Sequence, residues 1–112
     1  MQTRTLIAAL LVLFSAAAAA DFVLVSRAYE VALADLRLPG TTGGTISFKE
    51  CTTCEYQTVR VTAETRYEAN DRSLTLEDFR SELEQVRNPR DVTVTVLRHL
   101  ESDTVKAVRV RF

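Results

Sequence analysis

The 112-residue chain has no tryptophan, one histidine, two cysteines, two prolines and three glycines. Each shortage closes off a class of chemistry. A lone His99 cannot build a multi-histidine metal site, and two cysteines fall short of a four-cysteine zinc site. Gly40, Gly43 and Gly44 are the only glycines, and they form no phosphate-cradling loop. Charge of one sign is also lacking: 14 basic and 15 acidic side chains give −1 at pH 7. So balanced a chain has no overall field with which to draw nucleic acid or an anionic membrane. Twelve of the basic residues are arginine, which codon usage accounts for as well as any anion-binding role.

Long apolar runs are confined to the start of the chain. Arg4 is followed by an apolar stretch from Leu6 to Phe14, and the small residues Ala16–Ala20 close it. This is the three-part layout of a secretory leader, with Ala18-Ala19-Ala20 as an A-x-A-type cleavage site before Asp21. The uninterrupted run is about 15 residues, short of the roughly 20 that cross a bilayer as a helix. Cleavage is therefore expected rather than retention as an anchor, and no stable membrane insertion afterwards. Removing residues 1–20 from the 112 leaves 92, enough for one small domain over 21–112. Without Arg4, 13 basic side chains stand against 15 acidic ones, a formal charge of −2. The expected address is the periplasm or the exterior.

One helix is plainly written. Leu76, Phe79, Leu83 and Val86 recur at helical spacing. Thr75 can cap the first turn, and Asp78 stands at the capping-box position. Asn88-Pro89 would stop the helix, Asn in the left-handed cap and Pro unable to extend the ladder. The expected span is 76–87. Elsewhere the period is two. Val92, Val94 and Val96 alternate with threonines, and Val108, Val110 and Phe112 with Arg109 and Arg111. Val59, Val61, Ala63, Thr65 and Tyr67 alternate with Arg60, Thr62, Glu64 and Arg66, and Ile46 and Phe48 follow the same rule. Segment 22–38 fits a bent strand or two short ones, with a short helix over Tyr29–Leu36 as the alternative.

Strand, strand, strand, helix, strand, strand is the order of a mainly β, α+β domain. It matches a small five-stranded, partly open Greek-key barrel with one helix between strands 3 and 4. Residues 43–112 resemble the OB-fold-type domains of small uncharacterised exported bacterial proteins. The resemblance rests on Gly44-Thr45-Ile46, Thr65-Arg66-Tyr67, Leu76 with Phe79, Val92-Thr93-Val94 and Val108-Arg109-Val110. The Cys51-x-x-Cys54 pair is also similar to that of short periplasmic proteins. The resemblance implies the fold and no particular activity.

Cys51 and Cys54 flank Thr52-Thr53 between two expected strands. The ends of a four-residue turn approach within about 7 Å, which overlaps the separation a disulfide spans. In an oxidising compartment a structural disulfide is the first reading. A redox-active pair gains its low thiol pKa at a helix N-terminus, whereas this pair precedes a strand and is flanked by Glu50 and Glu55. Covalent haem attachment needs His after the second cysteine, and Glu55 stands there. Zinc would need His99 as a third ligand. Thiol-redox or metal handling stays open as the alternative, and neither cofactor nor metal is expected.

Catalysis finds little support. Glu77 and Asp78 point about 100° apart on a helix and serve its dipole, and no serine or cysteine has a histidine placed to activate it. The outer faces lack the aromatic platform on which an OB-type domain stacks bases. Arg60, Thr62, Glu64 and Arg66 form the expected binding face. Arg109 and Arg111 with Arg98 would make a small basic patch, and Tyr29, Tyr56 and Tyr67 are further contact candidates, Tyr67 in phase with the core-facing side of its strand. The function expected is that of an exported, non-enzymatic binding or accessory module. Its partner would be another envelope protein or a small ligand, and not nucleic acid.

Overall fold

The computed structural model describes residues 25–112, so the expected leader lies outside the described residues. Eight strands form one mixed sheet: β1 (Ser26–Ala32), β2 (Leu36–Arg37), β3 (Thr45–Phe48), β4 (Gln57–Arg60), β5 (Arg66–Ala69), β6 (Arg72–Leu74), β7 (Thr93–His99) and β8 (Thr104–Val110). The α-helix, α1 (Leu76–Glu84), lies between β6 and β7. The sheet runs β1-β7-β8-β4-β3-β2, with β5 also beside β8 and β6 beside β5. Its two ends, β1 and β2, are consecutive in the chain and separated by a 3-10 turn over Leu33–Asp35.

The mainly β fold with one α-helix agrees with the sequence. The five-stranded barrel does not: the sheet is open and has eight strands. Long strands are broken where the chain turns. The first breaks at Leu33–Asp35, whose backbone bonds Val92 and Lys49 rather than a neighbouring ladder. Of the helix expected over Tyr29–Leu36, only this single turn exists. The central strand breaks at Val61–Thr65, between β4 and β5. The additional strand β6 follows a two-residue hairpin loop, Asn70-Asp71, with φ of 51° and 66°. Positive φ at both loop residues is the geometry that matches strand twist, and Asn and Asp tolerate it.

Alternation delivers the core. Ile46, Phe48, Val94, Val96, Val108 and Phe79 are fully enclosed, joined by Tyr29, Val31, Val59, Val61, Tyr67 and Val110. Each large apolar side chain so buried contributes about 1.5–3 kcal/mol. Tyr29 packs on Phe48 with ring centroids 5.0 Å apart, and Tyr67 on Phe79 at 5.4 Å. Two expected inward positions fail: Ala63 lies in the break, and Phe112 is half-exposed beyond the end of β8. Helix α1 buries Leu76, Phe79 and Leu83, and the Thr75 hydroxyl accepts from the Asp78 N–H at 3.1 Å. It ends at Glu84, earlier than expected, and Asn88 has φ −122°, so it is not a left-handed cap.

An ion pair with a buried carboxylate joins the Leu33–Asp35 turn to a second 3-10 turn, Pro89–Asp91. Asp35 is 4% exposed and takes two hydrogen bonds from Arg90, at 3.0 and 2.9 Å, with Lys49 at 3.9 Å. The Arg90 hydrogen bonds hold the Asp35 carboxyl below the usual carboxylate range, against the opposing effect of burial.

Candidate functional site

Along the outer face of β5, β8 and β7 the side chains come in register rows. Arg66 pairs with Ala107, which pairs with Leu97, and one step along Glu68 pairs with Arg109 and Thr95. Ala107 is the small residue between two long ones, so this row sags in the middle. A bulge deepens the effect. Leu97 pairs with Ala107 but Arg98 pairs with Val105, which leaves Lys106 as the extra residue on β8. An extra residue of this kind re-aims side chains locally, and Lys106 and Ala107 both face the trough as a result. The sequence carried the signal: Val105 and Val108 both point inward although three positions apart, which strict alternation forbids.

The resulting groove has a volume of about 660 Å³. Its floor is Leu97 and Ala107, with the inward-facing Val105 beside them, and its charged rim is Glu64, Arg66, Lys106 and Arg109. His99, Ser102, Thr104 and Thr62 complete the lining.

Of the four residues expected to form a binding face, Thr62, Glu64 and Arg66 line this groove and Arg60 does not. Nor do they share a continuous strand, as the alternation implied. Arg60 ends β4, opposite Thr104. Thr62 and Glu64 sit on the turn before β5. That turn is tied internally: the Thr62 N–H donates to the Thr65 hydroxyl at 3.0 Å, and the Glu64 N–H to the Thr62 hydroxyl at 3.2 Å. Thr65 in turn donates to the Val105 carbonyl at 2.6 Å, which pins the turn to β8.

The hydroxyl end was missed by the sequence reading, which found no serine near a histidine. Ser102 Oγ lies 3.0 Å from His99 Nδ1, and the Ser102 N–H donates to the same nitrogen at 3.3 Å. An N–H can only donate, so Nδ1 is the accepting nitrogen in this contact. Ser102 Oγ also meets the Thr104 hydroxyl at 2.8 Å. The spacing His99-x-x-Ser102 across a hairpin turn was the available signal. A nitrogen already accepting from the turn is a poor base for the serine beside it, and the arrangement stabilises the turn, where Asp103 has φ 55°.

The expected basic patch does not assemble. Arg109 pairs with Glu68 at 2.9 Å and Arg111 with Asp71 at 2.8 Å, while Arg98 pairs with Asp103 and reaches the Tyr29 hydroxyl. Tyr29 itself is buried; Tyr56 is exposed, under Arg37 at 4.3 Å and Lys49 at 5.2 Å.

Cys51 and Cys54 form a disulfide with Cα atoms 5.0 Å apart. It closes an exposed turn in which the Cys54 N–H donates to the Cys51 carbonyl, and Lys49 Nζ donates to the Thr52 carbonyl at 3.2 Å. The pair stands outside the groove lining and, as expected, before a strand rather than at a helix start. Among the described residues no cluster of three or more His, Cys, Asp or Glu could hold a metal ion, and no helix is long and apolar enough to cross a membrane. Comparison with protein families, with curated proteins and with solved structures finds no match to this chain.

Proposed function

We propose that this chain is an exported, non-enzymatic binding module of the cell envelope that uses the groove between the β4–β5 turn and the β7–β8 hairpin. The leader-like residues 1–20 support export to the periplasm or the exterior. The observation that carries the reading is the groove itself. Its volume lies within the range typical of small-molecule sites, about 300–1,000 Å³, and it combines an apolar floor with a polar rim. Three residues of the face expected from sequence line it. On this reading the Cys51–Cys54 bridge holds a turn whose Thr52-Thr53 tip is ill suited to tight turning, since β-branched residues resist positive φ.

The test places a photoreactive amino acid at position 62 in the exported full-length protein and, as a control, at position 84 on the far end of α1. An adduct, small molecule or protein, formed only from position 62 and lost with Arg66→Glu supports the reading. Equal adducts from both positions, or none from position 62, removes the groove as the binding surface.

A further inference from the structure

Along β5, β7 and β8, uncompensated positive charge on the outer face is confined to the groove. Arg109 and Arg111 are neutralised by Glu68 and Asp71. Arg66 and Lys106 have no acidic partner among the described residues. Both rim the groove, Arg66 on β5 opposite Ala107 and Lys106 at the bulge of β8 next to Ala107 in the chain. Beneath them the floor is apolar, formed by Leu97 and Ala107. Thr62, Ser102 and Thr104 add hydroxyls to the lining. Glu64 is the one acid in the lining.

We propose that the groove takes a small organic oxyanion, a carboxylate or phosphate monoester carrying a short apolar body, with its charged group between Arg66 and Lys106. This rests on the reading of the groove as a binding site and adds the ligand's chemistry. Arginine presents a planar fork of donors that matches both carboxylate and phosphate, and lysine adds a point charge. The apolar body lies on Leu97 and Ala107. A polyanion fits poorly: further along β8 every cation already meets an acid, so a long chain of negative charges would find Glu68 and Asp71 after its first contact. A cationic ligand would meet two unpaired positive charges and one negative.

The test is a titration of the exported protein with hexanoate and with hexyl phosphate, followed by backbone amide NMR, with hexanol and hexylammonium as controls. Saturable shifts centred on residues 66, 97, 106 and 107 are expected with at least one oxyanion, and the tighter of the two identifies the source. Arg66→Gln and Lys106→Gln should each weaken that binding by about tenfold or more, since each removes a charge-assisted contact. Both positions are exposed, so neither variant threatens the fold. Hexanol binding as tightly as the oxyanions, or affinity unchanged in both variants, overturns the oxyanion assignment and leaves the groove as a binding site. The absence of saturable shifts with either oxyanion also overturns it, and the position-62 adduct then decides separately whether the groove binds anything.

Discussion

Tyr67→Phe should stabilise this protein, and the sign of the effect is the test. Tyr67 is 4% exposed, and its hydroxyl has no hydrogen-bond partner among the described residues. Its ring lies on Phe79, centroids 5.4 Å apart, and phenylalanine keeps that contact. What the substitution removes is a desolvated hydroxyl, whose burial without a partner costs about 1–3 kcal/mol in folded proteins. Where a tyrosine hydroxyl is bonded, the same change loses about 1 kcal/mol. A gain of about 1 kcal/mol or more is therefore expected, equivalent to a melting temperature roughly 4–8 °C higher for a domain of this size. Urea unfolding reads it as a raised midpoint at unchanged slope. Alkaline pH gives an independent reading. Burial pushes the Tyr67 phenol above its ordinary value, so the unfolded chain releases this proton first. The stability linked to Tyr67 is complete below about pH 10 and falls as pH rises through the higher folded value. The Phe variant lacks that part of the fall, while Tyr29 and Tyr56 are common to both proteins. A variant about 1 kcal/mol less stable than the parent would refute the reasoning, because the hydroxyl would then be bonded in solution.

Replacing both Cys51 and Cys54 with serine opens a loop of sequence separation 3, and should cost about 2 kcal/mol by chain entropy. Thermal unfolding measures the loss, and oxyanion binding in the groove should survive; abolished binding in a folded variant would return the pair to the functional site. Asp35→Asn should lower the melting temperature at neutral pH by leaving Arg90 and Lys49 without their carboxylate. Because Asp35 is held below its unfolded value by the Arg90 hydrogen bonds, its contribution is present above about pH 4 and is lost as pH falls through the folded value. Melting curves of parent and variant should therefore converge in acid, and a constant gap down to the lowest measurable pH would contradict the assignment.

Elements whose causes are local were legible. Thr75, Leu76, Phe79 and Leu83 state a helix through capping and spacing that any chain would obey. Val94 and Val96, or Ile46 and Phe48, state strands because alternate side chains must leave opposite faces. The breaks were not legible, since what enforces them is distant in sequence. Asp35 is held by Arg90, 55 residues away, and Thr65 by the Val105 carbonyl, 40 residues away. Segment 22–38 read as a bent strand or two short ones and 59–67 as a single strand, so five strands were counted where eight stand. The candidate face was legible in part for the same reason. Thr62, Glu64 and Arg66 were identified by their polarity, but Arg60 was grouped with them on the assumption of one unbroken strand. Lys106, His99 and Ser102 escaped because only the β7–β8 register brings them to the same trough.

By itself, the sequence determined the leader-like start, the composition of the core, the helix and its cap, and the near-balance of charge. It also determined that two cysteines three positions apart could close a turn. These follow from spacing, propensity and counting, which act within a few residues. Tertiary structure alone decided where the strands break, which arginines are neutralised and which are left free. It also decided that a small alanine at a bulge, between Arg66 and Leu97, opens a groove. Those outcomes depend on which backbones lie side by side, and pairing across a mixed sheet is settled by the burial of the whole apolar face rather than by any one segment.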